Sequence, residues 1–152
     1  MLGSDPGEWR RAVKALVAAL DPDVEVLIGR GDPTGHYPVR LTLAGCRETV
    51  GLYEDQAVAL PTDEAARAAI RQEVKELIAL LHLKVEITRT LLQAQPRRRV
   101  AFAGPLAQAG SEVAVEIRGG VGFPPLTARG RTYGEALGRL HRQIVKDVPP
   151  RP

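Results

Sequence analysis

The sequence has few of the residues on which cross-links and metal sites depend. Cys46 is the only cysteine among 152 residues, so no intramolecular disulfide can form and no paired thiols are available for a zinc site. The three histidines are His36, His82 and His141, and none has a cysteine, aspartate or glutamate at metal-ligand spacing. We therefore expect neither a metal site nor a bound cofactor.

Long apolar runs are absent as well. A membrane span needs roughly 18 uninterrupted apolar residues, and even the stretch near Leu80 is cut by His82, Lys84 and Glu86. The first 20 residues lack a basic start followed by an apolar run, so no secretory signal is predicted. These absences, together with the single cysteine, predict a cytoplasmic protein with no membrane partner.

Asparagine is missing, and most of the 21 basic residues are arginine rather than lysine. Depletion of thermolabile side chains is typical of thermophiles, and high genomic GC content produces the same bias toward arginine. We expect a thermophilic or high-GC source and favour GC content as the cause.

The usual nucleophile motifs are also lacking. Ser4 and Ser111 are the only serines, and neither lies in such a motif. An active site built from His36, Cys46 or Glu54 would need partners distant in the sequence. The sequence thus predicts no catalytic residue and favours a non-enzymatic protein, and an enzyme with an unrecognised site is left as an alternative.

A strand pattern occurs twice, 74 positions apart. Its apolar members are Val39, Leu41 and Leu43 in the first copy and Val113, Val115 and Ile117 in the second. Alternation of apolar and other residues with a period of two is typical of a half-buried strand. Each copy is followed by a helix start at a threonine, Thr62 or Thr132, which suggests two related halves.

These signals predict an α+β fold with two pseudo-repeated antiparallel sheet segments in the order α-βββ-α-βββ-α around a long central helix. No glycine or proline occurs between Thr62 and Pro96, so this helix is expected over residues 62–95. The other predicted elements are a helix at 6–20 capped by Asp5, strands at 24–29, 38–45 and 48–53, a strand through Phe102, strands at 112–118 and 126–130, and a helix after Thr132. Glu54 and Asp55 are interpreted as a solvated turn. Residues 1–148 then form a single domain with halves 1–61 and 96–148, and residues 149–152 form a proline-rich tail.

The central helix carries more apolar surface than one face can hold. Its two predicted stripes are Ile70, Val74, Leu77, Leu81 and Val85, and Leu80, Leu83, Ile87 and Leu91. A helix that is apolar on two sides is buried on two sides. We therefore expect a homo-oligomer formed through residues 62–95.

The two halves differ in charge. Residues 1–61 have 6 basic and 9 acidic side chains, whereas residues 96–152 have 10 and 4. The candidate anion-binding residues follow the central helix, surround a glycine-rich loop or lie on the last helix: Arg97, Arg98, Arg99, Arg118, Arg129, Arg131, Arg139, Arg142 and Lys146. Arginine forks and flexible glycines are suited to phosphate or nucleic acid. Because aromatic residues are scarce, phosphate contact is favoured over base stacking.

Two functions follow from this distribution. The leading prediction is a binding protein whose basic C-terminal half engages nucleic acid or an acidic protein surface. The alternative is a scaffold that self-assembles by docking the acidic half of one molecule on the basic half of another.

The element order also invites comparison with double-stranded RNA-binding domains. Residues 6–94 have the order helix, three strands, helix, but the second helix begins Thr62-Asp63-Glu64, whose carboxylates would repel phosphates. The N-terminal half is therefore not expected to bind RNA in this way.

Residues 112–145 resemble the end of a HicB-like antitoxin domain. The resemblance rests on a strand, a proline-containing turn, a short strand and the helix start Gly130-Arg131-Thr132-Tyr133-Gly134-Glu135-Ala136-Leu137. It implies toxin neutralisation and, in many members, operator binding. No helix-turn-helix follows the segment here, so DNA binding by that route is not implied.

Overall fold

The computed structural model describes residues 6–108 and 110–147. Its elements are α1 (Pro6–Leu20), β1 (Glu25–Ile28), β2 (His36–Leu43), β3 (Cys46–Tyr53), α2 (Glu54–Ala59), α3 (Glu64–Ala94), β4 (Ala101–Ala107), β5 (Val113–Arg118), β6 (Leu126–Gly130) and α4 (Tyr133–Asp147). The predicted α+β fold class is confirmed, with one short helix, α2, in addition. The predicted cap Asp5 and the tail at 149–152 lie outside the described residues.

The chain divides into two compact units between Leu81 and His82. We call Met1–Leu81 the N-terminal unit and His82–Pro152 the C-terminal unit. The boundary falls inside α3, so the N-terminal unit closes with the first part of this helix and the C-terminal unit opens with its second part. The single domain over residues 1–148 stays a prediction.

The N-terminal unit contains an antiparallel meander in the order β1-β2-β3. Val39 and Leu41 on β2 are fully buried, as the alternation predicts. Leu43 pairs with Cys46, which leaves a two-residue turn at Ala44 and Gly45 with φ of 48° and 83°. Positive φ at both positions gives a hairpin turn whose twist matches that of the strands, and glycine adopts it without steric cost.

Two helices accompany this sheet. The apolar face of α1 is buried, through Trp9, Val13, Leu16 and Val17. The interpretation of Glu54 and Asp55 as a turn was wrong, because both lie in the first turn of α2. The Gln56 side chain accepts a hydrogen bond from the Tyr53 N–H at 3.2 Å, which satisfies a backbone donor at the helix start.

Residues of both predicted stripes of α3 are buried, each in a different part of the helix. Ile70, Val74, Ile78 and Leu81 are buried in the first part, and Ile87 and Leu91 are buried in the second part. The step of six residues from Leu81 to Ile87 moves the buried side chains to another side of the helix. Leu77, Leu80, Leu83 and Val85, which the sequence also assigns to apolar stripes, are half-buried. Lys84 is buried with the second group.

The C-terminal unit contains a second antiparallel meander, in the order β4-β5-β6. Val115 and Ile117 on β5 are fully buried, and α4 packs against β5 and β6. A Cβ at Gly130 would lie 2.7 Å from the backbone nitrogen of Ala136, so the first turn of α4 approaches β6 more closely than any side chain permits. Glycine at position 130 therefore fixes where α4 begins.

Helix α4 is amphipathic in the predicted manner. Thr132 accepts a hydrogen bond from the Glu135 N–H at 3.1 Å, which confirms it as the N-terminal cap. The buried residues of the helix are Ala136, Leu137, Leu140 and Ile144. Val145, which follows Ile144, is 51% exposed. None of the helices in the described ranges is both long and apolar enough to cross a membrane.

The cap of α3 provides a test of the local structure. The Asp63 carboxylate accepts hydrogen bonds from the Ala65 and Ala66 N–H groups at 2.9 and 3.3 Å, so Asp63 replaces the predicted cap Thr62. We expect Asp63→Ala to lower the free energy of unfolding by about 1 kcal/mol. The matched substitution Thr62→Ala is expected to change it by less than about 0.5 kcal/mol. Urea unfolding of both variants measures this, and equal losses would contradict the assignment.

Candidate anion-binding surface

The three consecutive arginines after α3 have different environments. Arg97 and Arg99 are exposed, whereas Arg98 is 5% exposed. Arg98 Nη1 donates a hydrogen bond to Gln95 Oε1, and Nη2 donates to the carbonyl oxygen of Pro124, each at 3.0 Å. Its guanidinium carbon also lies 5.4 Å from the centre of the Phe123 ring, within the range of a cation–π interaction.

Arg98 therefore anchors the loop between β5 and β6. Burial lowers the pKa of its guanidinium, which keeps its charge at neutral pH because arginine ordinarily titrates far above neutrality. A Cβ at Gly119 would lie 2.9 Å from Arg98 Nε, so the loop backbone passes directly over the guanidinium. Nε has no hydrogen-bond partner among the described residues. Because Arg98 is engaged inside the unit, we leave it out of the candidate surface.

One group of exposed arginines lies beside this loop. We call Arg97, Arg99 and Arg118 the loop cluster. Arg99 is opposite Gly120, where an added Cβ would lie 3.6 Å from the Arg99 Cβ, and Arg118 is opposite Ala101 on β4. Arg118 forms an exposed ion pair with Glu116 at 3.3 Å, which contributes little to stability.

A second group lies along α4 and the end of β6. We call Arg129, Arg131, Arg139, Arg142 and Lys146 the helix cluster. Spacings of three and four residues place the three α4 side chains on one exposed stripe. Arg139 Nη1 donates a hydrogen bond to the Arg129 carbonyl oxygen at 3.0 Å, which joins this stripe to β6.

The charge of the helix cluster is mostly unneutralised. Arg139 forms an ion pair with Glu135 at 2.8 Å. Within the described ranges, the other four members have no acidic partner. Like charges three or four residues apart on a helix destabilise it by a few tenths of a kcal/mol per pair. The stripe is therefore a group of exposed positive charges, of which only Arg139 is neutralised by an ion pair with a described residue.

One residue of each cluster lies on the same face of the sheet, Arg118 in the loop cluster and Arg129 in the helix cluster. Arg129 is opposite Ala114 on β5, and Ala114 and Arg118 have the same parity along that strand. Their side chains therefore point to one face, about 13 Å apart at the rise of a β-strand. The buried Val115 and Ile117 lie on the other face. The α4 members of the helix cluster belong to the helix that covers this other face. Of the nine predicted residues, eight are exposed and Arg98 is buried.

Lys84 is a buried cation that the sequence did not identify. Its side chain is 6% exposed, and Nζ lies 5.3 Å from the centre of the Phe102 ring and 5.5 Å from that of Tyr133. The available signal was its position in an apolar stripe of α3. Charged side chains are seldom buried, so the sequence alone favours an exposed lysine there.

These contacts occupy the aromatic rings of the C-terminal unit. Phe102 and Tyr133 flank Lys84, and Phe123 lies against Arg98. All three rings are half-buried, and the unit has no other phenylalanine, tyrosine or tryptophan. Single-stranded nucleic acid is commonly bound by stacking bases on exposed aromatic rings, and no ring of this unit is fully exposed.

The residues considered for an active site lie in the N-terminal unit. His36 Nδ1 lies 4.0 Å from Asp32 Oδ2, and the His36 ring packs edge-on against Tyr53 at 5.1 Å. Cys46 is buried at the other end of the β2–β3 hairpin from His36. The hairpin thus separates the two residues, and no group of three metal-ligating side chains occurs in residues 6–108 and 110–147.

The two units have opposite net charge. The N-terminal unit has 9 basic and 13 acidic residues, a net charge of −4, whereas the C-terminal unit has 12 and 5, a net charge of +7. The difference in net charge between the two units is therefore larger than the difference between residues 1–61 and residues 96–152.

Comparison with known proteins finds no family model that matches the chain and no curated protein that matches it.

The environment of Asp32 predicts a pH dependence. Hydrogen bonds from the Thr34 hydroxyl and from the His36 and Thr34 N–H groups hold the pKa of this carboxyl below its ordinary value of 3.8. Folding therefore favours the ionised form, whose contribution is complete above the ordinary pKa and is lost as pH falls through the lowered one. In urea unfolding at several pH values, the stability advantage of the wild type over Asp32→Asn should be constant above about pH 5 and shrink in acid. An advantage unchanged down to pH 2 would contradict this cause.

The neighbouring residues Arg98 and Arg97 allow the anchoring role of the buried arginine to be tested with a matched control. Arg98→Ala removes two charge-assisted hydrogen bonds and a ring contact, so we expect the free energy of unfolding to fall by about 3 kcal/mol. Arg97→Ala removes an exposed side chain with no partner among the described residues, so a change within about 0.5 kcal/mol is expected. Chemical denaturation of both variants gives the comparison, and similar effects would show that Arg98 is not an anchor.

Proposed function

We propose that the C-terminal unit binds double-stranded nucleic acid through its phosphates, with the helix cluster as the primary contact. The observation that carries this proposal is the exposed stripe of Arg139, Arg142 and Lys146 on α4, continued by Arg129 and Arg131 at the end of β6. Four of these five cations have no acidic partner in the part of the chain that the structure describes.

The geometry of the stripe suits a phosphate backbone. Arg139 and Lys146 are seven residues apart, or about 10 Å along the helix axis. A duplex has one phosphate charge per roughly 1.7 Å of its length, so several phosphates lie within reach of one helix face. Arginine can hold a phosphate with two parallel hydrogen bonds, which adds orientation to attraction.

A duplex is favoured over a single strand. The three aromatic rings of the unit are half-buried against Lys84 and Arg98, so unpaired bases have no fully exposed ring on which to stack. A duplex stacks its bases internally and offers its phosphates outward, which matches a surface of cations without fully exposed rings.

The element order gives further support. The C-terminal unit consists of the end of α3, three antiparallel strands and α4, the same order that invites comparison of the N-terminal unit with double-stranded RNA-binding domains. In the N-terminal unit, α3 follows the strands and is capped by the acidic residue Asp63. In the C-terminal unit, Arg129 and Arg131 precede the corresponding helix, and Glu135 in its first turn is paired with Arg139. The repulsion that argues against the first unit is thus absent from the second.

The salt dependence of binding tests the proposal. Affinity for a fluorescent duplex of about 20 base pairs is measured by anisotropy between about 50 and 200 mM salt. We expect Arg142→Gln with Lys146→Gln to weaken binding and to make the plot of log affinity against log salt shallower by about 2, because each lost phosphate contact removes about 0.9.

The N-terminal unit offers a matched control. Arg67 and Arg71 are exposed, four residues apart on α3 and equal in charge to the test pair. Arg67→Gln with Arg71→Gln is expected to leave the salt dependence unchanged. A flat salt response of the wild type, or equal effects of the two double variants, would refute the helix cluster as the contact.

The opposite charges of the units favour a second candidate, a scaffold that self-assembles by docking the acidic unit on the basic unit. Light scattering without nucleic acid distinguishes the two, since such an assembly would grow at low salt and dissolve as salt rises. An apparent mass that does not vary with salt excludes it. The HicB-like resemblance of residues 112–145 adds a protein toxin as a further partner for the same basic surface.

A further inference from the structure

The 119–125 loop between β5 and β6 presents an apolar tip to solvent. Val121 is 103% exposed, and no other large apolar side chain in the described residues has a higher exposed fraction. Gly120 and Gly122 on either side of it have φ of 49° and 90°, which glycine adopts readily. Pro124 and Pro125 are exposed as well. The tip therefore gains nothing from the fold of its own unit.

The base of this loop is held firmly. Arg98 is buried beneath it and contacts it through the Pro124 carbonyl oxygen, the Phe123 ring and the Gly119 backbone. Burying a guanidinium costs free energy unless its hydrogen bonds and packing compensate. The two prolines further restrict the backbone. A loop whose base is fixed in advance loses less conformational entropy when it binds, which favours a binding element over a simple connection.

Cations surround the base of the loop. Arg99 lies opposite Gly120, Arg118 ends β5 beside Gly119, and Arg97 adjoins the buried Arg98. All three are exposed. An apolar tip within a cationic rim complements an anionic surface that an apolar side chain can enter.

A duplex groove fits this description better than a lipid bilayer does. Even a full myristoyl chain gives only marginal membrane binding, so one valine would not hold the unit on a bilayer. Proteins that bind the minor groove commonly insert apolar side chains between base steps and contact the flanking phosphates with basic residues. Arg118 of the loop cluster and Arg129 of the helix cluster lie on the same face of the sheet, so one duplex can reach both.

We propose that the 119–125 loop is a second contact with the duplex, in which Val121 enters the minor groove while the loop cluster binds the flanking phosphates. This inference rests on the proposed function, because it assigns a further role to the same nucleic acid. It also implies a bend in the duplex at the point of insertion, since a wedge between base steps opens them toward the minor groove.

The test compares Val121→Ser with Val58→Ser, a substitution at an exposed valine of the N-terminal unit. Both variants bind a duplex with donor and acceptor dyes at its ends and a flexible TA step at its centre. Val121→Ser is expected to weaken binding about tenfold, the effect of withdrawing one valine from a buried position. It should also reduce the bend measured by energy transfer and leave the salt slope unchanged. Val58→Ser is expected to match the wild type.

The outcomes separate this inference from the proposed function. If Val121→Ser binds and bends the duplex like the wild type while Arg142→Gln with Lys146→Gln still weakens binding, insertion is refuted and phosphate binding stands. If the wild type does not bind the duplex, both fail. A third experiment measures binding to vesicles of phosphatidylserine. If Val121→Ser loses vesicle binding but keeps duplex binding, the tip is assigned to a membrane and its insertion into the minor groove is refuted.

Discussion

The packing of α4 on one face of the β4-β5-β6 sheet is the constraint on which the candidate surface depends. A three-stranded sheet needs a covered face to be stable, and here Val115, Ile117 and the apolar side of α4 supply it. Gly130 allows the first turn of the helix to approach β6 closely enough for this packing. Once these faces are buried, the cations of α4 and of the outer sheet face are left in solvent, in the two clusters described above.

The two buried cations of the C-terminal unit affect which side chains are available on its surface. Lys84 and Arg98 lie against the three aromatic rings of the C-terminal unit, at ring distances of 5.3 to 5.5 Å. Cation–π contacts of this kind offset part of the cost of removing a charge from water. The same contacts leave the rings half-buried, so the surface presents charge together with a few apolar side chains, of which Val121 is the most exposed. This combination suits the outside of a duplex, where phosphates and grooves are available and base faces are not.

Local patterns predicted most of the fold. The alternation around Val39 and Val115, the cap at Thr132 and the uninterrupted run from Thr62 to Pro96 all correspond to elements of the structure, because each depends on residues close in the sequence. The predictions were wrong where the burial of a side chain depends on contacts with residues distant in the sequence. Arg98 was grouped with its exposed neighbours because its loop partners lie more than twenty residues away, and Lys84 was overlooked for a similar reason. Helix α2 had a weak signal, two acids and a glutamine after Tyr53, which an ordinary turn also explains.

The most direct measurement of the central claim is a map of backbone amide chemical shifts in the ¹⁵N-labelled protein as duplex is added. The account predicts that the largest changes occur at the end of β6, along the exposed side of α4 and in the 119–125 loop, and that they diminish as salt is raised. The amides of the N-terminal unit should change little. Changes concentrated in the N-terminal unit, or no changes at low salt, would contradict the assignment of nucleic-acid binding to the C-terminal unit.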